Sequence, residues 1–250
     1  MSVDFATEGL QPFRAERGYG AILFDPARVR QPAGELFDPA HWGERAEPVG
    51  VRGGRGSAWF LHDAGLGEAV LRHYRRGGLP ARLVADRYWW HGANRTRSFL
   101  EFRLLAELRR LRLPVPAPLA AGYVRSGASY RADIIVERIP GTRSLAERQH
   151  DADAALWARV GGTLARFHRA GVDHADLNAS NILVDAAGEV WLIDFDRGRR
   201  RPPASGWRER NLRRLRRSLL KLRGTRAVAD VERDYRQLHA AYSRAWARSL

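Results

Sequence analysis

The sequence predicts an α+β fold in two lobes, and three observations carry that prediction. Short apolar runs bounded by glycine-containing turns, at residues 58–74 and 130–138, read as antiparallel strands. A single amphipathic helix, 98–111, falls between them. Beyond Pro140-Gly141 the apolar spacing becomes mainly helical. The boundary is placed at that break. Residues 1–138 form a smaller N-terminal lobe of antiparallel sheet plus one helix, and 139–250 a mainly helical C-terminal lobe.

The length supports this reading. A chain of 250 residues, 44% of them hydrophobic, buries a sizeable core as one large domain or two joined lobes. Cysteine is absent, which excludes disulfides and thiolate metal sites and suits a reducing cytoplasm. The first ten residues carry Asp4 and Glu8 with no basic region and do not read as a signal peptide. The longest uncharged apolar stretch, Leu113 to Val124, is too short to span a bilayer and is interrupted by Pro114, Pro116 and Pro118. The net charge of +15 speaks of anionic partners rather than of fold. Nearly all of it is arginine, with Lys221 as the one lysine.

Taken in order, the first 48 residues read as irregular, punctuated by five prolines, with Ala21-Ile22-Leu23-Phe24 as a short strand. Gly53-Gly54-Arg55-Gly56-Ser57 reads as a turn, followed by a strand at Ala58-Trp59-Phe60-Leu61. After the turn Ala64-Gly65-Leu66-Gly67, a second strand runs from Ala69 to Tyr74 and completes a hairpin with a glycine-rich corner. Phe99, Phe102, Leu105 and Leu108 set the buried face of the helix that Pro114 ends. Tyr130 to Arg138 is a strand centred on Ile134-Ile135-Val136. Asp151 or Asp153 caps a helix whose stripe is Leu156, Val160, Leu164 and Phe167, and Gly171 stops it. Ile182-Leu183-Val184 and Val190-Trp191-Leu192-Ile193 flank an Asp/Gly turn as a second hairpin. The remainder, from Trp207, reads as two helices divided at Gly224.

The chemistry concentrates around that second hairpin. His174-Ala175-Asp176-Leu177-Asn178-Ala179-Ser180-Asn181 fits H-x-D-x-x-x-x-N, and Asp194 follows Asn181 by thirteen residues. A hairpin returns on itself, so Asp194 comes back close to Asn181. Mg²⁺ takes hard oxygen ligands and keeps few from protein, which suits Asn181 and Asp194. A separate carboxylate, Asp176, then orients an acceptor hydroxyl and takes its proton. His174 reads as structural. This is the set that phosphoryl transfer from ATP requires.

These residues resemble the catalytic loop and metal motif of the protein-kinase superfamily. The second motif ends in Asp196 rather than Gly, and Asn178 stands where protein kinases commonly have Lys. Both departures lean toward small-molecule and lipopolysaccharide kinases. The resemblance implies that Gly53, Gly54, Gly56 and Ser57 form the loop covering the ATP phosphates, in the cleft between the lobes. It places Arg72 at the strand position of the usual lysine and Glu101 as its ion-pair partner. More narrowly, the chain resembles the 3-deoxy-D-manno-octulosonic acid (Kdo) kinase family. The residues carrying this are Gly54-Arg55-Gly56-Ser57-Ala58-Trp59-Phe60, Val70-Leu71-Arg72-His73-Tyr74-Arg75-Arg76-Gly77-Gly78, Glu101-Phe102-Arg103-Leu104-Leu105, Leu113-Pro114-Val115-Pro116, His174-Ala175-Asp176-Leu177-Asn178 and Trp191-Leu192-Ile193-Asp194-Phe195-Asp196-Arg197-Gly198-Arg199. It implies phosphorylation of the 4-hydroxyl of Kdo on a lipid A precursor, with ATP and Mg²⁺, by a peripheral protein at the cytoplasmic face of the inner membrane.

Other readings stand beside it. The catalytic loop alone does not separate Kdo from heptose, another sugar or an aminoglycoside. The absent strand lysine allows a pseudokinase-like binding module, and Asp194-Phe195-Asp196 is also a glycosyltransferase-like D-x-D. Residues 197–223 hold twelve basic side chains against Glu209 alone, with Leu212, Leu215, Leu219 and Leu222 on one helical face. That segment reads as a helix solvating its arginines, as a contact for an anionic inner-membrane surface or phosphorylated lipid A, or as both. Nucleic acid is not expected, for want of a recognition motif. Tyr74, Arg75, Arg76, Arg82 and Arg87 are further candidates for substrate anions.

Overall fold

The computed structural model describes residues 8–16, 18–49, 58–75 and 86–248. The described residues divide into two units, one from 1–106 with 117–138 and the other from 107–116 with 139–250.

The first unit is an antiparallel sheet. Its strands are β1 (Gly9–Ala15), β2 (Gly18–Phe24), β3 (Ala46–Pro48), β4 (Ala58–Asp63), β5 (Gly67–His73), β6 (Tyr88–Trp89), β7 (Pro118–Ser126) and β8 (Ser129–Glu137). They lie in the order β1-β2-β7-β8-β5-β4-β3, with β6 paired to β8. The region read as irregular therefore contributes a full hairpin, β1–β2, in register from Gly9↔Phe24 to Ala15↔Gly18. β7 was not anticipated either. Its first six residues are all buried, so it lacks the in-out alternation that marks a half-exposed strand. Ile22, Leu61, Leu71, Leu119 and Ile135 meet in the core. Each such side chain contributes about 1.5–3 kcal/mol by leaving water. A short helix, α1 (Pro39–Trp42), is capped by Asp38 and buries Trp42 against this cluster. The long helix α2 (Arg97–Arg110) buries Phe99, Phe102, Leu105 and Leu108, as its spacing predicts. Ser98 at its start donates to the Gly122 carbonyl of β7 at 2.8 Å.

The second unit is mainly helical. A capping box at Ser144 and Glu147 starts α3 (Leu145–Arg148), which follows β9 (Arg143–Ser144). Asp153, rather than Asp151, caps α4 (Ala154–Arg169) by accepting the Leu156 N–H at 2.7 Å. α4 buries Leu156, Val160, Leu164 and Phe167. Its Gly161 lies so near α6 (Val228–Ala247) that an added Cβ would stand 2.2 Å from the Leu238 carbonyl oxygen. Between these helices run β10 (Val172–Asp173), the hairpin β11 (Ile182–Val184) and β12 (Val190–Leu192), β13 (Arg199–Arg200) and α5 (Ser205–Lys221). α5 buries Leu212, Leu215 and Leu219, but Leu222 lies past its end and is exposed. β10 pairs with β13 and so ties together the two ends of residues 174–198.

Candidate active site

Asp176 and Asn181 come from one loop, and each part of that loop has a visible support. Gly171, at φ +76°, turns the chain out of α4; a Cβ there would meet the Arg201 carbonyl at 2.3 Å. The loop then crosses α5, which holds it with polar side chains. Asn211 accepts the His174 N–H at 3.1 Å and donates to Asp173 Oδ1 at 3.0 Å. Ser218 accepts the Ala179 N–H at 3.0 Å. Both helix residues, and Asp173, were missed in the sequence. The available signal was two small polar residues, seven apart, on the buried side of an arginine-rich helix.

His174 is structural, as its motif suggested, and the geometry fixes its state. Nε2 lies 3.0 Å from the Ile193 carbonyl oxygen, so it carries the hydrogen. Nδ1 accepts the Asp176 N–H at 3.2 Å. The ring is buried, and burial holds its pKa below the ordinary histidine value. A neutral ring satisfies both contacts; a second proton would break the one to Asp176.

Asn178 explains its own departure from the usual lysine. Its Oδ1 accepts the N–H groups of Ser180 and Asn181, capping a 3₁₀ turn. Its Nδ2 reaches the Asp176 carbonyl oxygen at 3.2 Å and Oδ2 at 3.0 Å. The Asp176 carboxylate is thus oriented by one oxygen. The other, Oδ1, faces Arg214 Nε at 3.9 Å. Asn181 Nδ2 also donates to the Asp176 carbonyl, at 3.0 Å, which turns its side-chain oxygen away from that bond.

The hairpin does what its pattern predicted. Ile182 pairs with Leu192, and the Ile193 N–H donates to the Asn181 carbonyl at 3.1 Å. Asp194 follows directly, so it is brought beside Asn181. It adopts φ +62°, a conformation uncommon outside glycine and enriched at functional positions. Phe195 is buried, stacked on Phe167 at 6.1 Å between centroids and tilted against His174 at 4.8 Å. Asn181 and Asp194 offer hard oxygens, the donor type a magnesium ion takes. Among the described residues no group of three His, Cys, Asp or Glu gathers into a larger metal site.

In the first unit the structure joins Arg72 to Glu101. The guanidinium Nη2 lies 3.0 and 2.9 Å from the two carboxylate oxygens. Tyr74 Oη donates to the same carboxylate at 2.5 Å, and Arg72 lies over the Tyr74 ring. Tyr74 is therefore a buried support of this pair rather than a contact for a substrate anion. Arg75 and Arg87 are exposed. Gly53, Gly54, Gly56 and Ser57, with Arg76 and Arg82, lie outside the described residues.

The first unit supplies a strand arginine paired to a helix glutamate, and the second an oriented aspartate, an asparagine and a returning aspartate, the residue types that a protein-kinase-like phosphotransferase with a hydroxyl acceptor uses. Residues 39–242 match the lipopolysaccharide kinase (Kdo/WaaP) family. The chain belongs to that family. It is 60% identical over 244 residues to a 3-deoxy-D-manno-octulosonic acid kinase of Xanthomonas axonopodis pv. citri, covering 97% of each chain. It is 61% identical to the protein of the same name from Stenotrophomonas maltophilia, again over 97% of each. A solved kinase of the Cydia pomonella granulovirus aligns with 68% of this chain and 58% of its own, at 14% identity and a TM-score of 0.42.

Proposed function

We propose that this kinase transfers the γ-phosphoryl group of ATP to the 4-hydroxyl of Kdo on a lipid A precursor, in assembly of the lipopolysaccharide inner core. The observation that carries the reading is the convergence of Asp176, Asn181 and Asp194 on one braced loop and hairpin, in a chain 60% identical to Kdo kinases along nearly its whole length. Asp176 positions the hydroxyl and takes its proton as the oxygen attacks the γ-phosphorus; the bond to ADP breaks and ADP leaves. Asn178 aims that carboxylate, and His174 fixes the backbone beneath it. Asn181 and Asp194 would hold Mg²⁺. The ion supplies charge neutralisation on the phosphates. Arg72 has five N–H donors, and Glu101 holds the guanidinium so that others face phosphate. Arginine takes the lysine's place there, with Gly53, Gly54, Gly56 and Ser57 covering the nucleotide.

The protein works as a peripheral enzyme on the cytoplasmic face of the inner membrane. Two facts support this: among the described residues no helix is long and apolar enough to cross a membrane, and twelve basic side chains crowd residues 197–223. The test is transfer from γ-labelled ATP, with Mg²⁺, to a Kdo-bearing lipid A precursor beside the same lipid without Kdo. Label on the first alone is expected. Label on neither, with ATP still hydrolysed, would remove the substrate and keep the kinase.

A further inference from the structure

The arginines of α5 are not spread evenly in solvent. Asn211, Arg214 and Ser218 lie on one side of the helix, and all three meet the catalytic loop. The neighbouring row, Arg210, Arg213 and Arg217, continues outward from Arg214. Together with Arg216 and Leu220 these residues line a groove of about 510 Å³. Arg216 is committed to Glu232, at 2.7 Å, and Arg213 to Glu209, at 3.5 Å. Among the described residues Arg210 and Arg217 form no ion pair, and both are exposed. Like charges three and four apart on a helix repel, and an anion in the groove relieves them.

The position of this row relative to the chemistry is what gives it meaning. Asn178 engages Asp176 Oδ2, and Arg214 approaches Oδ1 to 3.9 Å. A hydroxyl presented to Asp176 therefore brings its own sugar ring against Arg214. Resting on the proposed function, we infer that α5 is the acceptor-recognition element. Arg214 takes the carboxylate of the acidic sugar whose hydroxyl reacts, and Arg210 and Arg217 take phosphate oxygens further along the lipid. A planar carboxylate and a tetrahedral phosphate each present a pair of oxygens that the guanidinium fork can bind bidentately. Arg214 then selects an acid over a neutral sugar, because a neutral ring offers it no anion beyond the Asp176 oxygen at 3.9 Å.

The experiment measures initial rates against acceptor concentration for wild type, R214Q, R214K, the double variant R210Q/R217Q and the control R236Q, an exposed arginine of α6. Three acceptors are compared: the Kdo-bearing lipid A precursor, its carboxyl methyl ester, and the same lipid without phosphates. R214Q should raise the acceptor KM about tenfold for the free acid and leave it unchanged for the ester, with R214K between. R210Q/R217Q should raise KM for the phosphorylated lipid only, and R236Q for neither. Equal effects of R214Q on acid and ester, or unchanged KM in all variants of an active enzyme, would overturn the inference and leave the proposed function standing. Lost binding to anionic vesicles lacking Kdo, with acceptor KM intact, would make the row a membrane contact and also overturn it. No transfer by wild type to any acceptor would overturn the proposed function and this inference together.

Discussion

Glu101 and Asp176 are both carboxylates held in place by neighbours, yet they are held in opposite ways. Glu101 is 2% exposed, gripped by Arg72 and Tyr74, and spends its charge inside the first unit. The Asp176 side chain is 63% exposed; one oxygen is steadied by Asn178, and its nearest cation stands at 3.9 Å. The first is sealed among its partners, and the second stands open to solvent. A carboxylate kept near water and left one open oxygen can orient a hydroxyl, whereas one sealed in an ion pair cannot.

The largest expected effect breaks the open site. Asp176→Asn or Asp194→Ala should lower transfer by about a thousandfold or more, since the interactions lost act in the transition state. The Asp176 variant should keep its thermal midpoint, because that side chain contributes little burial. A full-rate Asp194→Ala enzyme would remove the metal assignment. The sealed site should fail differently. Glu101→Ala leaves a partly buried guanidinium and a tyrosine hydroxyl without their acceptor, and should cost about 3 kcal/mol by urea unfolding. Arg72→Ala should also lower stability, since it takes a cation from the buried Glu101 carboxylate, and should appear in addition in the KM for ATP or in kcat. If both variants changed only stability, Arg72 would be a strut and the phosphate contact would lie elsewhere.

The smallest effect sharpens the contrast through pH. His168, buried in α4 with Nδ1 2.9 Å from the Tyr242 hydroxyl, is pushed down to about 3, first by burial and then by the Arg208 charge. The unfolded chain takes up that proton near pH 6.5, while the folded ring stays neutral. Protons therefore favour the unfolded chain below pH 6.5, and stability falls from there toward pH 3. The loss from this group between neutral pH and pH 5 is about 2 kcal/mol. Denaturant midpoints of wild type and His168→Gln across that range check it; the variant should show the shallower slope.

Much of this site was legible because its signals are local. The catalytic loop is eight consecutive residues, and a two-strand hairpin with an Asp/Gly turn carries its own geometry. Asp185 makes that turn by accepting the Glu189 N–H, and Gly188 sits at φ +81°. The helix with Glu101 was equally plain from four apolar residues at helical spacing. What escaped was non-local. β7 is buried too thoroughly to alternate, and β1 is too exposed to look like a strand. Asn211 and Ser218 matter only because α5 folds back across a loop more than thirty residues earlier, and no spacing within α5 announces that. The same helix read as a solvated or membrane-facing surface; its inner row is the brace of the catalytic loop.

The segment around Asp194 has a further consequence. Ile193 is tied at both backbone polar atoms, to Asn181 and to His174, and Phe195 is sunk between Phe167 and His174. The residue after it is Asp196, so the chain lacks the glycine that gives many kinases a pivot at this point. Swinging Asp194 away would draw a buried aromatic out of the core, at a cost of about 3 kcal/mol. The backbone that carries Asp194 is thus anchored on both sides, by the hydrogen bonds of Ile193 before it and by the buried ring of Phe195 after it.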